Sequence, residues 1–164
     1  MDTRTIKTQF FVCQRVFERN LEGVDDTAAR KRPSSGANSV SWLLGHVANA
    51  RLGASALLGG KTLDDASELD MYAAAAAESF DDANSLPLDV LRDFLHRSHA
   101  VLATAIDGAT DETWSAPAPF SPTGNPDETV GSLLATLAFH EAYHCGQVGR
   151  ARRDLGLEGQ IKGR

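Results

Sequence analysis

The sequence has few cysteines, little positive charge and no long apolar stretch, and each shortage argues against a class of protein. Its two cysteines, Cys13 and Cys145, are too few for a disulfide framework, so we expect two buried thiols. The net charge of −6 argues against nucleic acid or an anionic membrane surface as a partner. No apolar run approaches the roughly 20 residues that span a bilayer, and Met1–Arg4 carries no signal-peptide pattern. We therefore expect a cytoplasmic protein.

The alternating pattern of β-strands is also missing, whereas helical periodicity is strong. In four segments, apolar residues recur at steps of three and four. These segments cover about residues 5–21, 38–57, 87–107 and 125–155. A chain of 164 residues with 42% hydrophobic residues has the size and composition of one domain with its own core. The sequence predicts an all-α protein, a single four-helix bundle over residues 1–164.

Two long connections join these helices. The first, Lys61–Ser85, lacks periodicity, and we expect at most one short helix in its alanine run, Ala73–Ala77. A connection of this length inside a compact domain is often functional or mobile. The second, Ala109–Asp127, contains four prolines. Its Trp114 and Phe120 are predicted to fold back onto one end of the bundle.

The clearest chemical signal is the pair His140 and His144 on the fourth predicted helix. Helical residues four apart differ by about 40° around the axis, so both imidazoles face the same way. They continue an apolar stripe formed by Leu133, Leu137 and Val148. A buried ring nitrogen without a partner costs about 1–3 kcal/mol, and a shared metal ion removes that cost for one nitrogen of each ring. The alternative is a pair of core-edge histidines bonded to carbonyls or carboxylates.

His46 is the best candidate for a third ligand. It follows Leu43 by three residues and precedes Ala50 by four, so it lies on or beside the inward stripe of the second helix. Three histidines with an open fourth position are typical of catalytic zinc sites. His96 and His99 are weaker candidates, because the first falls off its helix's apolar stripe and the second only borders it.

Three polar residues lie near these histidines, and two of them have two interpretations each. Gln147 follows His144 by three residues, and Asn49 follows His46 by three. Each could contact a substrate or form a hydrogen bond between helices. Glu141 does not belong to a metalloprotease His-Glu-x-x-His motif, because three residues separate the histidines here. We interpret it as a solvated or interface carboxylate.

Two segments resemble motifs of the DinB/YfiT-like superfamily. Residues 39–47, SVSWLLGHV, are similar to its second-helix motif, and residues 137–148, LAFHEAYHCGQV, are similar to its closing helix. One early histidine followed by a His-x-x-x-His pair matches the family order. The likeness extends over nearly the whole chain and includes the proline-rich run at residues 117–126.

The resemblance implies more than the spacing does. Such proteins are four-helix bundles with up-down-down-up topology, and many are homodimers. Their three histidines hold zinc, nickel or a similar ion, which assigns His46, His140 and His144 as the metal ligands. Some members join low-molecular-weight thiols such as bacillithiol or mycothiol to electrophiles, and one relative is the mycothiol-dependent maleylpyruvate isomerase. Substrate-binding residues do not carry over, because the loops vary most.

The predicted function is therefore a divalent-metal-dependent thiol S-transferase that acts on a small electrophile, with a low-molecular-weight thiol as cosubstrate. One alternative is a metal-dependent hydrolase or a thiol-dependent isomerase using the same site. Another is a non-catalytic, metal-binding dimeric bundle. The last is favoured by the lack of a convincing general base beside the histidines.

Overall fold

The computed structural model describes residues 3–33 and 36–160. The helices among them are α1 (Thr3–Asn20), α2 (Asp26–Arg30), α3 (Val40–Leu57), α4 (Leu88–Gly108), α5 (Asp111–Ser115) and α6 (Val130–Asp154). Short 3-10 helices cover Ala66–Tyr72, Ala74–Ala76 and Asp82–Asn84. No strand occurs in these ranges, so the predicted all-α class is confirmed. The predicted domain also includes residues 1, 2, 34, 35 and 161–164, which lie outside the described residues, and its extent stays a prediction.

The four long helices correspond to the four predicted segments, with one clear difference at the start of α6. Asn125 and Pro126 do not begin this helix. The side chain of Asn125 instead accepts a hydrogen bond from the Asp127 backbone N–H at 3.0 Å, which forms a turn. Thr129 and Ser132 then form a capping box, which satisfies backbone N–H groups of the first turn. The helix therefore begins at Val130, later than predicted.

Apolar faces of the long helices form the core. Helix α3 packs against α4 and α6, and α1 packs against α6 and α4. Helix α3 is buried almost all round, with residues 40–48 all buried. This burial places His46 inside the molecule. None of the helices in the described ranges is both long and apolar enough to cross a bilayer.

The connection between α3 and α4 is packed onto α3 by its 3-10 helix Ala66–Tyr72. Leu69 and Tyr72 are fully buried there. The Tyr72 hydroxyl is 2.9 Å from Ser85 Oγ and accepts a hydrogen bond from the Leu86 N–H at 2.8 Å. The alanine run contributes only a three-residue 3-10 helix. Sequence periodicity missed the longer 3-10 helix because three residues per turn do not produce the three-and-four step of an α-helix.

Gly45 allows this connection to approach α3. A Cβ atom at Gly45 would lie 2.3 Å from Cγ of Tyr72, far inside van der Waals contact. The absence of a side chain therefore makes room for the Tyr72 ring directly beside His46.

The prediction for the second connection is half right. Trp114 lies in α5 and is 5% exposed, within the apolar cluster at that end of the molecule. Phe120 is 54% exposed, so it does not fold back. The backbone here pairs with the residues before α6, with Ala118 N–H donating to Glu128 O at 2.8 Å. This pairing holds the segment at the surface, and Phe120 stays accessible to solvent.

Candidate metal centre

Two helices bring the three predicted histidines together. His46 comes from α3, and His140 and His144 come from α6. Nε2 of His140 lies 3.2 Å from Nε2 of His46 and 2.9 Å from Nε2 of His144. His46 and His144 are 8% and 7% exposed, and His140 is half-buried. One ligand atom from each ring lies within 4.8 Å of the others, so the three form a group that could hold a metal ion.

Hydrogen bonds on the outer side of two rings define which nitrogen faces the cluster. Nδ1 of His46 is 3.0 Å from the carbonyl oxygen of Tyr72, and Nδ1 of His144 is 2.6 Å from Oε1 of Gln147. Both oxygens only accept, so each Nδ1 carries the proton. Nε2 of each ring then presents a lone pair to the cluster. Metal-binding histidines are commonly oriented in this way by a partner on the outer nitrogen.

The spacing of the ring nitrogens suits a transition-metal ion. Tetrahedral ligands at the usual zinc–nitrogen distance would stand about 3.3 Å apart, close to the measured 2.9 and 3.2 Å. His140 could direct an N–H at only one of its two neighbours. At least one pair of lone pairs must therefore face each other at this distance, which is repulsive unless a cation lies between them. The donor set fits a divalent transition metal.

Burial keeps the three rings neutral. It lowers the pKa of His46 and His140, and it lowers the pKa of His144 to about 4. The hydrogen bond from His144 to Gln147 opposes the shift, whereas the neighbouring histidines add to it. Neutral imidazole is the form that binds metals. These rings are therefore in the ligating state near neutral pH.

A comparison with protein families places most of the chain in one family. The model for the DinB superfamily matches residues 9–148, which include all three histidines. The chain belongs to the DinB superfamily. No curated protein matches it. The resemblance in residues 39–47 and 137–148 is thus confirmed, and the match ends one residue beyond Gln147.

Aromatic rings surround the histidines of this DinB-superfamily protein. The ring of Trp42 stacks on that of His46, with centroids 4.5 Å apart and planes 11° from parallel. Trp42 is 3% exposed, so it is a core residue. Tyr143 meets His144 at an angle with centroids 5.7 Å apart and is 59% exposed. The cluster therefore has a buried aromatic wall on the α3 side and an accessible one on the α6 side.

The two predicted substrate-binding residues both have partners within the protein. Asn49 donates its side-chain N–H to Leu69 O at 2.7 Å, so it fastens the 3-10 helix to α3. Gln147 orients His144. The Asn49 contact joins two helices, as the hydrogen-bonding interpretation predicts, whereas the Gln147 contact lies within α6. Direct contact with a substrate stays a prediction for each.

His96 and His99 lie on α4 and are not part of the three-histidine group. His96 is largely exposed, and its Nδ1 lies 3.2 Å from Nε2 of Gln14. His99 has a buried Nδ1 with no hydrogen-bond partner among the described residues. Burial, followed by the nearby Arg51 charge, lowers the pKa of His99 to about 4. Their ranking below His46 agrees with this placement.

Of the two interpretations of Glu141, the solvated carboxylate is wrong, and the side chain lies at the interface between helices. This carboxylate is 3% exposed and forms a bidentate ion pair with Arg51, at 2.9 and 2.5 Å. Nη1 of Arg51 also donates to Gln14 Oε1 and to Leu95 O, both at 2.7 Å. One buried guanidinium thus binds groups from α1, α4 and α6. Arg51 is the only Asp, Glu, Lys or Arg in α3, and that isolation was the available signal.

Cys13 and Cys145 meet between α1 and α6. Both are 6% exposed, which confirms that they are buried thiols. Cys145 Sγ donates to the carbonyl oxygen of Cys13 at 3.6 Å. A hydrogen bond between the two thiols lowers the pKa of Cys13 and raises that of Cys145, and burial adds to the rise. Their contact was not foreseeable from positions 132 residues apart.

Proposed function

We propose that His46, His140 and His144 hold one divalent transition-metal ion, zinc or nickel, and that the protein is a metal-dependent enzyme. The observation that carries this proposal is the convergence of three Nε2 atoms, with the outer nitrogens of two rings already held by hydrogen bonds. Three histidines leave one position open for another ligand, which is the usual plan of a catalytic site.

The surroundings favour a thiol as the nucleophile. A cation at the three nitrogens would lower the pKa of a thiol or a water placed in its open position. The nearest carboxylate in sequence, Glu141, is bound on both oxygens by Arg51, so it is not free to accept a proton. A thiol, with a pKa near 8.5, depends less on a protein base than water does. We therefore propose a thiol S-transferase with a low-molecular-weight thiol as cosubstrate and a small electrophile as substrate.

Metal analysis tests the site itself. Protein purified without added metal, then loaded with zinc or nickel and desalted, is expected to carry about one ion per chain by elemental analysis. His46→Ala is expected to lose most of it, whereas His96→Ala, at an exposed position outside the cluster, keeps it. The proposed site would be overturned if wild-type protein carried no metal after loading and desalting, or if both variants kept equal amounts of metal.

A thiol-conjugation assay tests the reaction. Metal-loaded protein is mixed with monochlorobimane and, in turn, cysteine, glutathione, bacillithiol or mycothiol. The proposal predicts conjugation that needs both the metal and a thiol and is lost in His46→Ala. Turnover of an ester or amide panel without thiol would instead indicate a hydrolase. No turnover in either assay would leave a non-catalytic metal-binding bundle.

The topology of the superfamily is part of the proposal. Contacts in opposite chain order join α1 to α4: Lys7 with Asp107, and Gln14 with His96. Contacts in the same chain order join α1 to α6, through Cys13 with Cys145 and Asn20 with Arg152. Arg51 of α3 contacts Leu95 of α4, and Gly60, three residues beyond the end of α3, lies beside Ala105 of α4, which supports the same order for α3 and α4. These orders support a four-helix bundle with up-down-down-up topology.

The partners complete the proposal. We propose a homodimer in the cytoplasm that acts on a small molecule and binds neither nucleic acid nor membrane. The net charge of −6 supports the exclusion of nucleic acid. Light scattering during size-exclusion chromatography measures the mass of the protein in solution. A monomer at micromolar concentration would contradict the dimer.

A further inference from the structure

A groove between α1 and α6 leads to the two thiols. It has a volume of about 390 Å³ and is open to solvent. Its lining is mostly apolar or without side chains, including Val12, Val16, Ala142 and Gly146, and both Cys13 and Cys145 contribute to it. A small uncharged molecule could therefore reach both sulfur atoms without unfolding the protein.

The two thiols are held in a fixed relation by the packing of their helices. Cys145 Sγ contacts Cys13 O at 3.6 Å, and both side chains line the same groove. Two helical turns along α1 from Cys13, Asn20 donates its side-chain N–H to the carbonyl oxygen of Cys145 at 3.3 Å. This bond ties α1 to α6 beside the thiols. Neighbouring sulfurs on separate helices are the starting geometry for a disulfide that joins those helices.

We propose that Cys13 and Cys145 form a dithiol site that a small aliphatic disulfide oxidises to an intramolecular disulfide bond. In the first step, the sulfur of one cysteine attacks the small disulfide, forms a mixed disulfide and expels one thiolate. In the second step, the other cysteine sulfur attacks the protein sulfur of that mixed disulfide and expels the second thiolate. Both expelled thiolates take up the protons that the cysteines lose. The two cysteines are oxidised by two electrons, and the small disulfide is reduced to two thiols.

The reaction is independent of the metal centre and of the proposed enzymatic function, because neither cysteine belongs to the three-histidine group. The bond would close a loop between residues 132 apart. Such a cross-link restricts the unfolded chain, so the oxidised protein is expected to unfold at a higher temperature than the reduced protein.

The test uses folded, metal-free protein and bis(2-hydroxyethyl) disulfide, which carries no charge. After acid quenching and alkylation, intact-mass analysis is expected to show wild-type protein that has lost two hydrogens and takes up no alkyl group. Digestion without reductant should yield one peptide pair joining Cys13 to Cys145, and dithiothreitol should restore both thiols. Cys145→Ser and Cys13→Ser, each checked for native helix content by circular dichroism, provide the controls. At least one of them should stop at a mixed disulfide, because no second thiol remains to displace it.

Three results would overturn the proposal. In the first, both wild-type thiols stay fully alkylatable. In the second, wild-type protein carries two separate mixed disulfides. In the third, the bond joins two chains, which a non-reducing gel would show. Each result means that the two cysteines of one folded chain do not react as a dithiol pair with the small disulfide.

Discussion

Replacing Glu141 by Gln removes the negative charge from the buried ion pair and leaves its shape unchanged. The side chains of Arg51 and Glu141 are only 1% and 4% exposed. Breaking such a pair typically costs about 3–5 kcal/mol, because one charge remains buried without compensation. Arg51 keeps two neutral acceptors, on Gln14 and Leu95. We therefore expect the lower end of this range, a loss of about 3 kcal/mol in the free energy of unfolding.

The loss is large enough to measure in two ways. Domains of this size are stable by about 5–15 kcal/mol, so urea titration should show a clearly lower midpoint with an unchanged slope. A loss of 1 kcal/mol shifts the melting temperature by about 2–4 °C in chains of 150–250 residues. The melting temperature of Glu141→Gln is then expected to fall by about 6–12 °C, measured by circular dichroism or calorimetry.

Two comparisons separate the buried pair from ion pairs in general. Asp154 pairs with Arg150 on the same helix, but the Arg150 side chain is 76% exposed. Asp154→Asn should therefore cost less than about 1 kcal/mol. Replacing both buried partners, in Arg51→Met with Glu141→Leu, should recover much of the stability that Glu141→Gln loses. Equal, small losses in Glu141→Gln and Asp154→Asn would refute the reasoning, since Arg51 would then have to reach water.

The remaining predictions concern the histidines and their supports. Gly45→Ala forces the Tyr72 ring away from α3, so it should cost about 1–3 kcal/mol and, by moving the acceptor of His46, weaken zinc affinity about tenfold or more. Calorimetric titration checks the affinity, and an unchanged value would contradict that role of Tyr72. For His99, the folded-state pKa of about 4 lies below the unfolded value near 6.5, so the unfolded chain binds more protons between these values. The contribution of neutral His99 to the free energy of unfolding is then lost as pH falls from about 6.5 to about 4, by up to about 3 kcal/mol. In urea titrations at several pH values, His99→Gln should make the free energy of unfolding vary less over this pH range. Nickel binding should quench the fluorescence of Trp42, which stacks on His46, and Trp42→Phe should remove most of the change.

Local sequence patterns were sufficient to predict the long helices, because apolar periodicity and capping residues act within a few positions of each other. Serine is a common N-cap residue, and the side chain of Ser39 accepts the Trp42 N–H at 3.0 Å where α3 begins. The start of α6 was misplaced because Asn125, Thr129 and Ser132 are all of residue types that favour the N-cap position. Which of them caps α6 depends on the backbone pairing of Ala116 and Ala118 with the residues before the helix, and such pairing leaves no periodic trace in the sequence.

For the candidate metal centre, too, the sequence predicts one part and the packing of the helices decides the rest. His140 and His144 were assignable from sequence, because one helix fixes their relative direction whatever surrounds it. His46 could be nominated from its place on an apolar stripe, but only the packing of α3 against α6 brings its Nε2 within 3.2 Å of His140. The acceptor for its outer nitrogen is the backbone carbonyl of Tyr72, a group that every residue carries and that no motif can mark.

The sequence by itself determined the helical class, the superfamily and the three histidines, and each of these rests on local periodicity or on short motifs. Only the tertiary structure decided that Glu141 pairs with Arg51, that Tyr72 supports His46 and that Cys13 meets Cys145. These contacts join residues 26, 90 and 132 positions apart. Their geometry depends on how whole helices pack, and packing is set by the summed burial of many apolar side chains and not by the residues that finally touch.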